Sequence, residues 1–166
     1  MDEDVKRIIE RFEMRLHPEG GFFCEVYRSD IVLEHPHIPD NQNKVRRAST
    51  SIYYLLAEHQ FSAFHRVKWT DEIWHLYAGG PLELHILDTH YERRVLTSPL
   101  ADNQPTAVVH AGAWQATRLA PGARWAFAGC TVAPGFDFDD FEMPPAQQLI
   151  AIHPEHAKII RELTRC

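Results

Sequence analysis

The residues whose types and spacing could support chemistry lie between positions 64 and 80. A strand, a tight Thr-Asp turn and a second strand would place His65 and Val67 on one face of a hairpin. Glu72 and Trp74 would lie opposite them on the facing strand. An imidazole close to a carboxylate forms an acid/base pair that can work near neutral pH. The sequence therefore predicts His65 and Glu72 as catalytic residues for proton transfer beside a carbonyl group.

A structural use of the same two residues stays open. Buried imidazole and carboxylate groups also hydrogen-bond to each other simply to join neighbouring strands. Under that interpretation, His65 and Glu72 stabilise the fold and take no part in chemistry.

Four aromatic or cationic residues are further candidates for ligand binding. Trp74 and Trp114 carry flat apolar faces on which sugars stack, although such residues also fill barrel cores. Arg28 could bind an anionic group of a substrate, or form an ion pair at the surface or between subunits. Tyr27 precedes it in the same predicted strand. Strand alternation places these two side chains on opposite sides unless the strand is bulged.

The elements that would position these residues form a mainly β domain. The apolar spacing of residues 5–16 predicts an amphipathic N-terminal helix, and residues 154–163 predict a short C-terminal helix. Between them, short β-branched and aromatic runs alternate with Gly, Pro, Asp or Asn, which is typical of an antiparallel sandwich or barrel. The predicted strands cover residues 22–28, 51–56, 63–69, 72–77, 82–87, 94–96, 107–109, 114–119, 124–127 and 147–152.

Two connecting segments border the predicted core. The composition of residues 34–47 predicts a polar loop of the length that often borders a binding site. Residues 135–141 alternate phenylalanine with aspartate. That pattern predicts an edge or loop that packs its rings and exposes its acids, with a lid over a pocket as the alternative.

Length and charge limit the partners. The 166 residues fit one domain, 1–166, that can bury a substantial core. With 17 basic and 23 acidic residues the net charge is −6, and this negative charge disfavours binding to nucleic acid. No run of about 18 apolar residues occurs, so no membrane partner is expected. A cytoplasmic location is the simplest interpretation. Cys24, Cys130 and Cys166 are odd in number and widely spaced, which indicates neither a disulfide framework nor a zinc ribbon.

One stretch resembles the first signature motif of the cupin superfamily. His65, Glu72 and Gly79 occur at the intervals of that motif. Val67 stands in the place of its second histidine, and its leading glycine is absent. The resemblance is therefore to a partly degenerate cupin motif.

The second cupin motif is matched by residues 110–115, where Gln115 replaces the histidine ligand. Cupins normally hold a divalent cation with three imidazoles and one carboxylate, so the resemblance implies a metal site. Here it implies His65, Glu72 and Gln115 as metal ligands, a set that would hold a divalent ion weakly or not at all. Gln115 is a candidate for ligand binding in either case.

Residues 17–28, 72–75 and 136–141 together resemble the small single-domain family known as Cupin_5, over nearly the whole chain. The resemblance implies an antiparallel cupin, or jelly-roll, barrel with an N-terminal helix and a short C-terminal helix. It also implies a homodimer, which exposed strand edges favour independently. Activity in that family is largely unassigned.

Three functional hypotheses follow. In the first, the protein is an isomerase or epimerase for a sugar derivative, with His65 as acid or base and Glu72 as its orienting partner; this class rests on analogy of fold. In the second, it is a non-catalytic module that binds or stores a small polar molecule. In the third, it is a weakly metal-dependent cupin enzyme.

Overall fold

The computed structural model describes residues 2–40 and 42–165, and Cys166 lies outside this part of the chain. Its helices are α1 (Glu3–Arg11), α2 (Ala146–Ile152) and α3 (Ala157–Glu162), with 3-10 turns at Phe138–Asp140 and Pro154–His156. Its strands are β1 (Arg15–Leu16), β2 (Phe22–Arg28), β3 (Val32–Glu34), β4 (Val45–Arg47), β5 (Thr50–Ala57), β6 (Phe61–Val67), β7 (Asp71–Gly79), β8 (Leu82–Leu87), β9 (Tyr91–Leu96), β10 (Thr106–Val109), β11 (Trp114–Leu119), β12 (Trp125–Ala133) and β13 (Phe141–Glu142).

Two antiparallel sheets face each other and form the barrel. Sheet I has the strand order β1-β2-β5-β12-β7-β10, and sheet II has the order β13-β6-β11-β8-β9. β3 and β4 pair with each other as a separate hairpin. The predicted mainly β, antiparallel cupin barrel with helices at both ends of the chain is confirmed. Within residues 2–40 and 42–165, none of the helices has the length and apolar character needed to cross a membrane.

Alternate positions of the facing strands fill the barrel interior. Trp74 of β7 packs in one buried cluster with Tyr54 of β5 and Leu84 of β8, which brings side chains of the two sheets together. Successive side chains of a strand point to opposite faces. The neighbours of these residues in each strand therefore point away from the barrel interior. The same alternation turns His65 of β6 and Glu72 of β7 inward, as the sequence predicted.

Helices cover the outer faces of both sheets. α1 buries Val5 against Leu55 of β5 on sheet I. On sheet II, Trp114 of β11 packs with Leu149 of α2 and Ile160 of α3. These contacts hold α1, α2 and α3 against the outer faces of the two sheets.

The predicted strand at residues 147–152 is wrong, since this segment is helix α2. Leu149 is buried, and Ala146 and Ile150 pack beside it at the spacing of one helical face. A short apolar run cannot be assigned to a strand or a helix by periodicity alone. Packing against sheet II decides in favour of the helix here.

The N-terminal helix is shorter than predicted. α1 ends at Arg11, and Glu13 has a φ angle of 49°. This left-handed conformation cannot continue a right-handed helix. Leu16, the last residue of the predicted helix, instead belongs to β1 and pairs with Phe22 of β2.

A buried ion pair connects the β3–β4 hairpin to the segment 135–141. Arg46 of β4 donates from Nε and Nη2 to the two carboxylate oxygens of Asp140, each at 2.7 Å. Both side chains are buried. The prediction that this segment exposes its acids is therefore wrong for Asp140, because the bidentate arginine compensates its charge inside the protein.

One edge of sheet I is only partly covered. β1 pairs with β2 at Phe22 and Phe23. Among residues 2–40 and 42–165, no other strand continues that edge along the rest of β2. The homodimer stays a prediction, and this open edge is where we expect a second copy to bind.

Candidate active site

A glycine turn brings a second carboxylate into the barrel. Gly20 and Gly21 have φ angles of 115° and 71°. A Cβ on Gly20 would lie 2.2 Å from the Phe61 carbonyl oxygen, so a side chain cannot be accommodated there. Directly before this turn, the Glu19 carbonyl accepts a hydrogen bond from the Ala63 amide at 2.8 Å. That contact holds Glu19 next to β6, two residues from His65.

Glu19 is the centre of a buried polar cluster. Its Oε1 accepts a hydrogen bond from the Ser62 hydroxyl at 2.9 Å. Its Oε2 lies 3.2 Å from Nε2 of His65 and 3.4 Å from Nδ1 of His17. Glu19 and His65 are only 5% and 2% exposed, so these contacts are shielded from water.

The protons of the two histidines are fixed by their neighbours. His65 Nδ1 lies 2.8 Å from the Ala63 carbonyl oxygen, which can only accept, so Nδ1 carries the proton. Burial lowers the pKa of His65, which disfavours a second proton on the ring, so Nε2 keeps its lone pair and turns it toward Glu19. His17 Nδ1 accepts from the Glu19 amide at 3.4 Å, so its own proton sits on Nε2. Both rings are neutral in these arrangements.

Burial favours the neutral form of each of these groups. It raises the pKa of Glu19 to about 8, against the smaller opposing effects of the Ser62 hydroxyl and Arg165. Burial lowers the pKa of His17 to about 3 and also lowers the pKa of His65, although Glu72 opposes the shift at His65. Near neutral pH, Glu19 thus holds a proton that it can donate to Nε2 of His65.

Glu72 belongs to a second hydrogen-bonded chain that reaches the same cavity. Trp74 Nε1 donates to Gln115 Oε1 at 2.8 Å, and Gln115 Nε2 donates to Glu72 Oε2 at 2.5 Å. An indole N–H can only donate, so Trp74 determines which end of the amide faces the carboxylate. Burial raises the pKa of Glu72, and hydrogen bonds from Gln115 and Cys130 oppose that shift.

The relationship between His65 and Glu72 differs from the predicted hairpin. β6 and β7 lie in different sheets, so the two side chains meet across the barrel interior and not across a strand pair. The carboxylate in ion-pair distance of His65 is that of Glu19. The sequence predicted Glu72 as the partner of His65, whereas the carboxyl group beside its imidazole is that of Glu19, from another part of the chain.

A cavity of about 390 Å³ opens beside these groups. His17, Glu19, His65 and Glu72 line its buried part. The remaining lining residues are Arg15, Phe23, Glu25, Arg28, Thr50, Ile52, Val67, Cys130, Val132, Phe136, Asp137, Phe138 and Phe141. The cavity thus joins a proton donor and acceptor pair to a wall that is largely aromatic and aliphatic.

A bulge in β2 decides which of its residues reach the cavity. The register of β2 against β5 shifts between Glu25 and Tyr27, so Val26 is an extra residue. Glu25 and Arg28 consequently both line the cavity, and Arg28 donates to the carboxylate of Glu25 at 2.5 and 2.9 Å. Tyr27 is exposed and does not line the cavity. The side chain of Arg28 is therefore placed where it could contact a ligand, as predicted, whereas the side chain of Tyr27 is not.

Three other candidates for ligand contact lie behind the cavity wall. Trp74 and Gln115 are buried and bond to each other, so they reach the cavity only through Glu72. Trp114 points outward from β11, under the guanidinium of Arg66 at 4.2 Å. The predicted stacking of a ligand on either tryptophan is therefore not supported by their positions.

The donor set does not fit the metal site that the resemblance implied. Gln115 gives its oxygen to Trp74 and turns its N–H group toward Glu72, and Val67 has no donor atom. In the described ranges 2–40 and 42–165, no group of three or more His, Cys, Asp or Glu side chains is arranged to hold a metal ion. His65, Glu72 and Gln115 therefore do not form the expected ligand set.

Sequence reasoning did not assign His17 and Glu19 to the site. They occur in the segment His-Pro-Glu-Gly-Gly, which served the family resemblance of residues 17–28 but was given no role in the site. The available signal was the pair of glycines directly after an acidic residue, because two such residues often shape a turn that carries its neighbours into a pocket.

Comparison with known proteins finds the same fold in solved structures. A hypothetical protein from Leishmania major has a TM-score of 0.85 and 29% identity, with 97% of this chain and 98% of that chain covered. A protein from Shewanella oneidensis has a TM-score of 0.80 and 30% identity, with 99% and 98% covered. A cupin 2 domain-containing protein from Halorhodospira halophila, 12% identical over 92% and 88% of the chains, shares the fold at a TM-score of 0.54.

No curated protein matches the chain. The family profile Cupin_5, described as Cupin superfamily (DUF985), matches residues 6–144. This match covers most of the chain, so the protein belongs to the Cupin_5 family of the cupin superfamily.

Proposed function

We propose that this protein is an enzyme that moves a proton beside the carbonyl group of a small molecule, as isomerases and epimerases do. Membership of the cupin superfamily favours a small-molecule ligand. The observation that carries the proposal is the contact of 3.2 Å between Glu19 Oε2 and His65 Nε2 at the wall of the cavity.

The two residues have complementary protonation near neutral pH. His65 is neutral with its lone pair on Nε2, which makes it a base. Glu19 is protonated, which makes it an acid. Perturbed acid and base groups that face one cavity are typical of proton-transfer sites.

The proton balance of the proposed step is simple. In the proposed step the substrate carbonyl displaces the hydrogen bond between Glu19 and His65. His65 Nε2 then takes a proton from the carbon next to the carbonyl, while Glu19 gives its proton to the carbonyl oxygen. The product of this step is an enediol or enol. In the second half His65 returns its proton to the other face or to the neighbouring carbon, and Glu19 takes a proton from an oxygen of the intermediate, which gives an epimer or an isomer and restores both residues. Glu72, held by Gln115, stabilises the imidazolium that forms on His65.

A sugar derivative is one member of this substrate class. The sequence suggested it by analogy of fold, whereas the polar cluster requires only a carbonyl group with an acidic neighbouring C–H bond. The proposal therefore covers small carbonyl compounds in general.

Hydrogen–deuterium exchange tests the proposal. Wild-type protein in D2O, incubated with a panel of ketoses, sugar phosphates and cyclic ketones, should replace C–H by C–D next to the carbonyl of at least one compound, as followed by NMR. His65→Asn and Glu19→Gln should each lower that rate by about 10²-fold or more.

The matched control is His59→Asn, because His59 has a side chain that is 90% exposed and a φ angle that asparagine tolerates. This variant should exchange protons at the wild-type rate. A protein that binds a compound of the panel but exchanges no proton would instead support the non-catalytic binding module.

A further inference from the structure

The cavity wall is more apolar than a polyhydroxylated substrate requires. Phe136, Phe138 and Phe141 contact one another edge to face, with ring centroids 5.0 to 6.0 Å apart. Phe23 adds a further ring, and the wall is completed by aliphatic side chains of Ile52, Val67 and Val132. A ligand that fills this cavity must lay most of its surface against hydrocarbon.

Most polar side chains along this wall already have hydrogen-bond partners, whereas the guanidinium of Arg15 lies 4.9 Å from the centre of the Phe23 ring. Thr50 accepts a hydrogen bond from the Phe136 amide at 2.9 Å, and Asp137 accepts one from the Asp139 amide at 2.9 Å. Arg28 is bound to Glu25 through two hydrogen bonds. A hydroxyl group placed against them would have to compete with these bonds.

The groups that can serve a ligand are concentrated in the buried part of the cavity. His17, Glu19, His65 and Glu72 offer their hydrogen-bonding groups there, at one end of the cavity. A sugar would bring hydroxyl groups along its whole length, and each one left without a partner costs about 1–3 kcal/mol. The wall thus selects a molecule with one polar end.

We propose that the substrate carries a flat, apolar body next to its carbonyl group, so that its class is the aryl or otherwise poorly oxygenated cyclic ketones. This inference rests on the proposed function for the position of the carbonyl at Glu19 and His65. The body lies against Phe136, Phe138 and Phe141, where aromatic rings stack favourably.

A matched set of uncharged probes tests this specificity. 2-Indanone and cyclopentanone share a ring ketone, but only the first carries a fused aromatic body, and D-fructose is polyhydroxylated. Isothermal titration calorimetry should show that 2-indanone binds at least about 10-fold more tightly than cyclopentanone and D-fructose. Equal affinity for the two ketones, tighter binding of D-fructose, or no binding of 2-indanone would overturn the inference.

Phe138 allows the wall itself to be tested without disturbing the core. It lines the cavity but is 59% exposed. Phe138→Ala should weaken binding of 2-indanone about 3- to 10-fold and leave cyclopentanone nearly unchanged. The control is Ile152→Ala, since Ile152 is 58% exposed on α2 and lies outside the cavity. An equal loss in both variants, or none in Phe138→Ala, contradicts the role of the wall.

The same samples separate this inference from the proposed function. If 2-indanone binds as expected but its protons exchange no faster than in buffer, the specificity stands and the proton transfer fails. If D-fructose exchanges protons in a His65-dependent manner while 2-indanone does not bind, the proton transfer stands and the specificity fails.

Discussion

Nε2 of His65 lies 3.2 Å from Oε2 of Glu19, and the lone pair of the ring points at that oxygen because Nδ1 donates to the Ala63 carbonyl. The carboxyl group must therefore be protonated for the pair to hydrogen-bond while both partners are neutral. Burial supplies this condition by raising the pKa of Glu19. The two side chains can therefore hydrogen-bond while neither of them carries a charge.

The pH dependence of activity should report the proton on Glu19. Its pKa is about 8, so the rate of proton exchange should fall as the pH rises through that value. His65 stays neutral near and above neutral pH because burial lowers its pKa. Exchange rates measured from about pH 5 to pH 10 should show the descending limb in the wild type and no such limb in Glu19→Gln. A limb that persists in the variant would belong to another group.

Stability should depend on pH through the same residue. The pKa of Glu19 is raised from 4.5 to about 8 on folding, so the folded state keeps a proton that the unfolded state releases. Its contribution to the free energy of unfolding therefore falls as the pH rises from 4.5 to about 8. Glu19→Gln removes this dependence.

Urea denaturation at several pH values measures the effect. Relative to the wild type, Glu19→Gln should gain at least about 1 kcal/mol between pH 5 and pH 8. Glu10→Gln is the control, because Glu10 is an exposed residue of α1 and should show no such gain. A constant difference between wild type and Glu19→Gln would mean that the carboxyl group is ionised in the folded protein.

The Trp74–Gln115 contact should orient the amide that holds Glu72. Trp74→Phe removes the indole N–H and leaves Gln115 Oε1 buried without its donor, which costs about 1–3 kcal/mol in addition to lost packing. A double-mutant cycle with Gln115→Leu should give a coupling energy above about 1 kcal/mol. The same cycle with Trp114→Phe should be additive, because Trp114 faces away from Gln115 across β11. Additivity in both cycles would show that the indole does not orient the amide.

The inward direction of His65 and Glu72 could be predicted from the sequence, because the alternation of side chains along a strand depends only on the local backbone. The contact with Glu19 was beyond prediction because it depends on the Ala63–Glu19 hydrogen bond between distant parts of the chain. The same limit applies to the assignment of β6 and β7 to different sheets. The sequence analysis named a bulge as the condition under which the β2 side chains would leave strict alternation. No residue of β2 indicated that the bulge at Val26 would occur.

The Arg46–Asp140 ion pair should hold the aromatic wall of the cavity in place. Asp140 is fully buried and lies between Phe138 and Phe141, two residues of that wall. Arg46→Met removes the bidentate partner and leaves the carboxylate buried alone, which should lower the free energy of unfolding by about 3–5 kcal/mol. Urea denaturation measures this loss.

The double variant Arg46→Met/Asp140→Leu distinguishes charge burial from packing. It removes both charges and should recover most of the stability lost in Arg46→Met, since replacing a whole buried ion pair by apolar residues is often neutral. As a control, Arg94→Met removes the partner of Glu92 from an exposed pair and should change stability by less than about 1 kcal/mol. If the double variant stays as unstable as Arg46→Met, the guanidinium contributes through its contacts with the Asn43 and Val45 carbonyls and not through Asp140.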